Sequence, residues 1–442
     1  MDFTAMLEKT GQLIWGPWTA LGVMAAGIWL SVRTGFPQHP KKWWPSTAGA
    51  LFLPRKKQGG ISPFQSVTAA LAGSLGTGNI VGVAVAISAG GPGAVFWMWL
   101  AAIPAMAAAY AENVMGIRFR RRNADGRWQG GPMLYMSALT GRRMPGVCWA
   151  VLCAAAALCI GNLVQVNSIA SAVSEAWRIP PALTGLLLAA AAAPAVLGGA
   201  RSVTRLTERL VPVMAAVYLL ACLTVITLHL PRLPDALARI VTEAFCPRSV
   251  SGGMMGAMLT GVRRGVFTNE AGMGTSVLIH CTADDVTPEE QGQWSMFEVF
   301  VDTILMCTLT ALAILVSGAD ISASGAAMSA ECFGSLFGRH ADGFAALTTL
   351  FFAFATVIGW SCCGERAFAY AFGESRALWY RALYLLFIVP GCVMNTVAVW
   401  AASDIINALL MLPNLAAVIV LWSREPMPEK LPHRNYKSLY RA

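Results

Sequence analysis

Thr77 and Asn79 are the first residues whose types and spacing point to chemistry. They stand inside Ser74-Leu75-Gly76-Thr77-Gly78-Asn79-Ile80-Val81-Gly82, within an otherwise apolar segment from about 61 to 89. Gly73, Gly76, Gly78 and Gly82 each weaken a helix by about 1 kcal/mol relative to alanine, so the spacing predicts a local unwinding. Hydrocarbon offers no partners to freed N–H and C=O groups, and an unwound backbone is tolerated there only where it lines a protected cavity or binds something. The two half-helices present amide donors at one end and carbonyl acceptors at the other, which suits a zwitterion with a counter-cation. Plain helix packing also uses such glycines, since Gly78 and Gly82 form Gly-x-x-x-Gly. Thr77 and Asn79 favour the unwound reading, because packing needs no polar side chains.

A second anomaly runs through Gly261-Val262-Arg263-Arg264-Gly265-Val266-Phe267-Thr268-Asn269-Glu270-Ala271-Gly272-Met273-Gly274-Thr275. Glycines, two arginines and a glutamate at membrane depth do not describe a helix that faces lipid. Arg263, Arg264 and Glu270 either form a structural ion pair, with Asp302 as a partner, or act directly. Further polar faces accompany the two interruptions. Gly161, Gln165 and Ser168 share one helix face, as do Thr356, Trp360 and Gly364. Gly161 beside an amide could admit a compact ligand, or Gln165 could be interhelical glue. Thr356 offers a hydroxyl to a hard cation, and Trp360 either walls a pocket or packs. Glu298 and Asp302, one turn apart, read as a proton relay or as caps near a cytoplasmic end, and Glu112 beside Arg118 reads as interfacial.

The elements that position these groups follow from composition. Of 442 residues, 56% are hydrophobic and 12% charged, which excludes a soluble enzyme and describes a polytopic helical membrane protein. Apolar runs long enough to cross about 30 Å lie near 14–32, 61–89, 93–116, 147–173, 181–199, 209–230, 251–282, 294–317, 343–371, 376–398 and 403–423. The predicted fold is therefore all-α, with eleven transmembrane helices. The glycine-interrupted runs are the second and seventh, each opening a group of five. An odd number of crossings per group makes the groups run oppositely, as in a 5+5 inverted repeat with one extra N-terminal helix.

Four regions result: 1–60 with the extra helix and a basic loop, 61–230 and 231–423 as the repeats, and a tail from 424 to 442 that reads as unstructured. Residues Leu233 to Phe245 are too polar to span and read as an interfacial helix. Lys and Arg concentrate at 33–57, 118–143, 201–205 and in the tail. This places the N-terminus outside and the C-terminus in the cytoplasm of a cell that carries the chain in its inner membrane. The net charge of +9 fits contact with the lipid bilayer, without the aromatic-interleaved stripe of a nucleic-acid binder.

Eleven scattered cysteines form neither a disulfide framework nor a zinc site. The five histidines show no His-Glu-x-x-His, and no Gly-Lys pair is present for a phosphate-binding loop. No catalytic residue and no resident cofactor are expected.

The chain resembles the alanine or glycine:cation symporters, the sodium:alanine symporter family. The likeness runs through Gly76-Thr77-Gly78-Asn79-Ile80-Val81-Gly82-Val83-Ala84, Gly90-Gly91-Pro92-Gly93-Ala94-Val95-Phe96-Trp97-Met98-Trp99, Tyr110-Ala111-Glu112 and Gly130-Gly131-Pro132-Met133. It continues through Gly161-Asn162 with Gln165 and Asn167, then Arg264-Gly265-Val266-Phe267 to Gly274. Glu298-Val299-Phe300 with Asp302-Thr303, Trp360 with Gly364-Glu365, and Pro413-Asn414 complete it, over nearly the whole chain.

The resemblance implies a leucine-transporter-type fold and sodium-coupled uptake of a small neutral amino acid, alanine or glycine. By motif, Thr77, Gly78, Asn79, Asn269, Gly272 and Met273 would meet substrate or ion, with Gly161, Gln165 and Trp360 closing the pocket. Gly76, Asn79 and Thr356 are the sodium candidates. Ala355-Thr356 stands where the family has Ser-Thr, which removes a hydroxyl from the implied sodium site. Cys362 and Cys363 replace two tyrosines, Thr268 replaces Ser, and Val277 replaces Pro. Proton coupling through Glu270 or Asp302, and a receptor that binds without transporting, remain as alternatives.

Overall fold

A computed structural model describes residues 3–44, 47, 61–123, 126, 128–245, 253–323 and 325–424. The basic loop at 48–60, Arg248 and the tail beyond Arg424 lie outside the described residues.

Helices build almost the whole molecule, and one two-stranded hairpin pairs Arg121–Arg122 with Trp128–Gln129. Local chemistry sets many helix starts. Ser62 accepts from the Gln65 N–H while the Gln65 side chain accepts from the Ser62 N–H, with Pro63 at the first helical position. That reciprocal cap satisfies two otherwise orphaned donors. Thr287 before Pro288 caps another helix with its side chain alone, accepting the Glu290 N–H at 3.1 Å.

Among the described residues seven helices are long and apolar enough to cross a membrane, and an eighth crossing arises if Thr4–Ile14 and Pro17–Arg33, bent by 44° at Gly16, count as one. The protein is therefore a multi-pass membrane protein. Expected spans that fall short on length are 181–199, formed by Pro181–Leu197, and the two glycine-interrupted segments, each of which is broken. The first consists of Pro63–Ser74, a single 3₁₀ turn over Thr77–Asn79, and Val81–Gly90. The second consists of Gly253–Asn269 and Thr275–His280. Between them the chain turns through positive φ at Glu270 (54°), Gly272 (82°) and Gly274 (82°). Glycine tolerates this conformation and glutamate does not, so tertiary contacts must hold Glu270 in it.

Some boundaries move. The final helix is Thr396–Arg424 and the break before it falls at Met394–Asn395, where the hydropathy pattern had placed the gap at 399–402. The segment Leu233–Glu243 is a helix that buries Ala236 and Ile240 and leaves its other face exposed. It packs against the helix Gly93–Phe119, whose Trp97 Nε1 donates to the Ala244 carbonyl at 3.1 Å.

Two further helices are widened rather than broken. Cys159–Leu163 and Phe300–Cys307 are π-helical, the first inside the long helix Arg143–Trp177 and the second inside Pro288–Ser317. Such bulges displace the ladder by one residue and commonly accompany functional sites. Here both lie beside the interruptions.

Candidate functional site

At the first interruption the backbone groups freed by unwinding are captured by side chains from distant helices. The Thr77 N–H donates to Gln165 Oε1 at 3.1 Å, and the Gln165 amide nitrogen donates to the Ile160 carbonyl at 3.1 Å, inside the π segment. Asn79 Oδ1 accepts the Gly76 N–H at 3.1 Å. The Leu75 carbonyl lies 3.4 Å from Thr356 Oγ1. Gly76 has no room for a side chain, since a Cβ would stand 2.6 Å from Thr356 Oγ1 and 2.9 Å from Gln165 Oε1. Thr77 Oγ1 and Ser74 Oγ are buried there without a partner. A buried hydroxyl left unpaired costs roughly 1–3 kcal/mol, so the first break carries unsatisfied polar capacity.

Asp302 joins the two interruptions, a role its position one turn from Glu298 did not reveal. Asn79 Nδ2 donates to Asp302 Oδ1 at 2.8 Å and to the Asp302 carbonyl at 3.0 Å. Thr303 donates to Asp302 Oδ2 at 2.9 Å and accepts from Asn269 Nδ2 at 3.1 Å. Asn269 Oδ1 in turn accepts the Ala271 N–H at 3.0 Å. A continuous polar chain thus runs from Gly76 to Ala271, entirely among buried residues. Gly78 brings the breaks into direct contact, because a Cβ there would lie 2.8 Å from the Thr268 methyl.

The second interruption is held from its other side. Glu112 is fully buried, not interfacial: one oxygen accepts the Gly272 N–H at 3.3 Å and the other accepts Asn414 Nδ2 at 2.8 Å. Asn414 also donates to the Gly272 carbonyl at 2.9 Å, and Tyr135 donates to Asn414. Glu270 accepts from Trp360 Nε1 at 2.8 Å and from Thr275 at 2.7 Å, which holds its positive φ. Met273 donates its N–H to the Glu270 carbonyl at 3.0 Å and buries its side chain. Gly161 serves Trp360, since a Cβ at Gly161 would collide with the Trp360 Cβ and ring. Its missing side chain makes room for the indole.

Arg263 and Arg264 do pair with a carboxylate, but with Asp404 in the final helix and not Asp302. Arg264 reaches it at 3.3 Å and Arg263 also contacts it. Asp302 lies deeper, where Asn79 and Thr303 already occupy it. Glu298 pairs with His280 at 2.8 Å, apart from Asp302. Of the two cysteine departures, Cys362 packs with Ala195, Val203 and Ile358, and Cys363 lies 3.8 Å from the Thr275 carbonyl.

A cavity of about 520 Å³ opens on one side of the breaks, walled by Val81, Val85, Ser168, Trp400 and the Arg263–Arg264–Asp404 group. The opposite side is closed. Trp128 Nε1 donates to Asp284 at 2.7 Å, and Asp284 also takes the Ile61 N–H at 3.2 Å while its own N–H donates to the Ile61 carbonyl at 2.9 Å. Arg120 and Arg122 sandwich the Trp128 ring at 4.0 and 4.4 Å. The start of the first interrupted span and the end of the second are thereby clamped together.

The structure brings Gln165 and Thr356 to the first predicted break and Trp360 to the second. Glu112 and Asn414 were not assigned to the second break; the signals were that both are polar residues inside apolar runs and that both fall in the motifs shared with the symporter family.

The Sodium:alanine symporter family model matches residues 1–427. The sodium/alanine symporter AgcS of Methanococcus maripaludis is 35% identical over 436 residues, 95% of each chain. The probable sodium/glutamine symporter GlnT of Bacillus subtilis is 36% identical over 414 residues, 93% of this chain and 86% of GlnT. The structure of MhsT in complex with L-phenylalanine shares the fold, with a TM-score of 0.59 at 14% identity over 83% of this chain and 90% of MhsT. The whole-chain match and these relatives lead to one conclusion: the chain belongs to the sodium:alanine symporter family, and it is an amino-acid transporter, not an enzyme.

Proposed function

We propose that this chain is a sodium-coupled symporter that carries a small neutral amino acid, alanine or glycine, into the cell by alternating access. The observation that carries the reading is the meeting of two broken helices at one buried network, Gly76–Asn79–Asp302–Thr303–Asn269. The Gly78 amide and the unpartnered Thr77 hydroxyl of the first break suit a carboxylate, with the Thr77 N–H held by Gln165 beside them, and the carbonyls of the second break suit an ammonium. A sodium ion takes oxygen ligands, and Thr356 Oγ1 with the Leu75 carbonyl beside Gly76 supplies two of them. Asn79, next to the Asp302 carboxylate, marks a second place where cation charge is offset. The named substrates of AgcS and GlnT, alanine and glutamine, are both neutral amino acids and support this class.

The transport cycle follows from the asymmetry of closure. The cavity reaches toward the breaks from one side while the Trp128–Asp284 clamp seals the other. With the basic loops in the cytoplasm, the cavity is extracellular, the N-terminus outside and the C-terminus inside. Substrate and sodium each raise the other's affinity by the same factor, so their joint binding is what licenses the clamp to release. The arrangement is read as eleven crossings, an N-terminal helix followed by a 5+5 inverted repeat over 61–230 and 231–423. The paired breaks and the paired third helices of each repeat, whose Gly161 and Trp360 pack together, support it.

Purified protein in vesicles should take up labelled alanine under an inward sodium gradient, with competition by glycine exceeding that by large or charged amino acids. Uptake that follows a pH gradient and ignores sodium would replace sodium with proton coupling. Binding without counterflow would make the protein a receptor.

A further inference from the structure

A groove of about 950 Å³ lies at the clamped end of the molecule, sharing Arg122 with the clamp but reaching none of the residues around the breaks. It lies between the hairpin strands, the helix Pro132–Thr140 and the C-terminal end of the helix Ala341–Phe372. Two arginine pairs line it, Arg121–Arg122 on the strand and Arg142–Arg143 at the start of the next helix, and Glu374 is the one carboxylate among its described lining residues. Two of the four guanidiniums are committed. Arg143 donates to the Tyr370 carbonyl at 3.0 Å and lies 5.6 Å from its ring centroid, and Arg122 donates to the Gly126 carbonyl at 2.8 Å, lies over the Trp128 ring and stands 3.7 Å from the Asp284 carboxylate. The other two are available. Among the described residues Arg121 reaches only Gln129 Oε1, at 3.4 Å, and the Arg142 guanidinium has no acceptor. Beside this charge stand the apolar side chains of Phe119, Leu134, Ala138 and Ala369.

Fixed and free guanidiniums around one space suit a phosphate, whose oxygens take the planar forks of arginine in pairs. An apolar wall is of no use to a free phosphate ion. Both Gly93–Phe119 and the helix ending at Phe372 are long enough to cross a membrane, and both end at this groove, which sets it at the level of the headgroups. We propose that the groove binds an anionic phospholipid. The headgroup phosphate sits among Arg121, Arg122, Arg142 and Arg143, and the glycerol and first methylenes lie against Phe119 and Leu134. Basic pockets between helix ends on one face of the membrane are suited to such headgroups.

The test measures lipid retained by the detergent-purified full chain, by native mass spectrometry after addition of phosphatidylglycerol or phosphatidylcholine. The wild-type protein should hold phosphatidylglycerol through washes that strip phosphatidylcholine, and millimolar inorganic phosphate should not displace it. The Arg121→Ala/Arg142→Ala variant should retain about tenfold less. Ala138→Trp, which fills the groove without changing charge, should lose retention as well and guards against a folding defect in the arginine variant. Lys41→Ala/Lys42→Ala, on the same side of the molecule, should retain as much as the wild type. Equal retention by the wild type and both groove variants would overturn the proposal, as would equal loss in the Lys41/Lys42 control. Displacement by inorganic phosphate would overturn the lipid as the occupant.

Discussion

Gln165 gives the sharpest perturbation of the first break. Its Oε1 is the acceptor of the buried Thr77 N–H at 3.1 Å, and its Nε2 fastens the side chain to the π segment through Ile160. Gln165→Met keeps the volume and removes both hydrogen bonds. The Thr77 N–H is then unpaired in a buried position, which costs roughly 1–3 kcal/mol, and the Ile160 carbonyl loses a bond of about 1 kcal/mol. Together about 2–4 kcal/mol of strain confined to the substrate-ready geometry would lower alanine affinity by a factor between about 30 and about 700, at about 1.4 kcal/mol per factor of ten. The assay is labelled-alanine binding and initial uptake by reconstituted protein at saturating sodium, with thermal melting alongside. Gln165→Ala should lose at least as much, because it adds a cavity. Wild-type affinity in Gln165→Met, with the melting temperature unchanged, would refute the idea that this amide shapes the break.

Gly161→Ala should collide with Trp360, cost about 1–3 kcal/mol by overpacking, and slow uptake. Trp360→Phe in the same chain should recover part of the stability on melting, whereas a direct Gly161–substrate contact predicts no recovery. Ala355→Ser restores a hydroxyl beside Thr356 and should lower the sodium concentration for half-maximal uptake several-fold; an unchanged sodium dependence would remove Thr356 from the ion site. Asp284→Asn weakens the acceptor of Trp128 and of the Ile61 N–H, so hydrogen exchange at 61–66 and 278–284 should quicken while the cavity side is unaffected. Exchange unchanged in both regions would show that the clamp is not a closure.

What the sequence carried was local. Glycine runs at 73–82 and 261–274 mark helix failure wherever the chain is placed, and polar residues in apolar runs mark groups that need partners. The identity of those partners was not local. Asp302 meets Asn79 from 223 residues away and Glu112 meets Asn414 from 302 residues away, and neither distance leaves a trace in periodicity. Glu112 read as interfacial because Arg118 follows it by six positions, yet the helix carries the two to different depths. Gly161 was visible as a small residue on a polar face, but a bare glycine cannot say whether a ligand or a tryptophan fills its space. Span limits near 376–403 slipped because hydropathy is nearly continuous there, and the break at Met394–Asn395 comes from backbone geometry. The arginine groove was legible only as excess charge, since its walls come from three separate segments.

The central claim is that the two interruptions together grip the substrate with its sodium. An experimental density map of the protein with alanine and sodium, compared with one without them, tests this most directly. New density should lie between Thr77–Gly78 and Glu270–Gly272, with the carboxylate toward the first break and the ammonium toward the second. Alanine confined to the cavity beside Arg264 and Trp400, with the space between the breaks unchanged, would contradict the account.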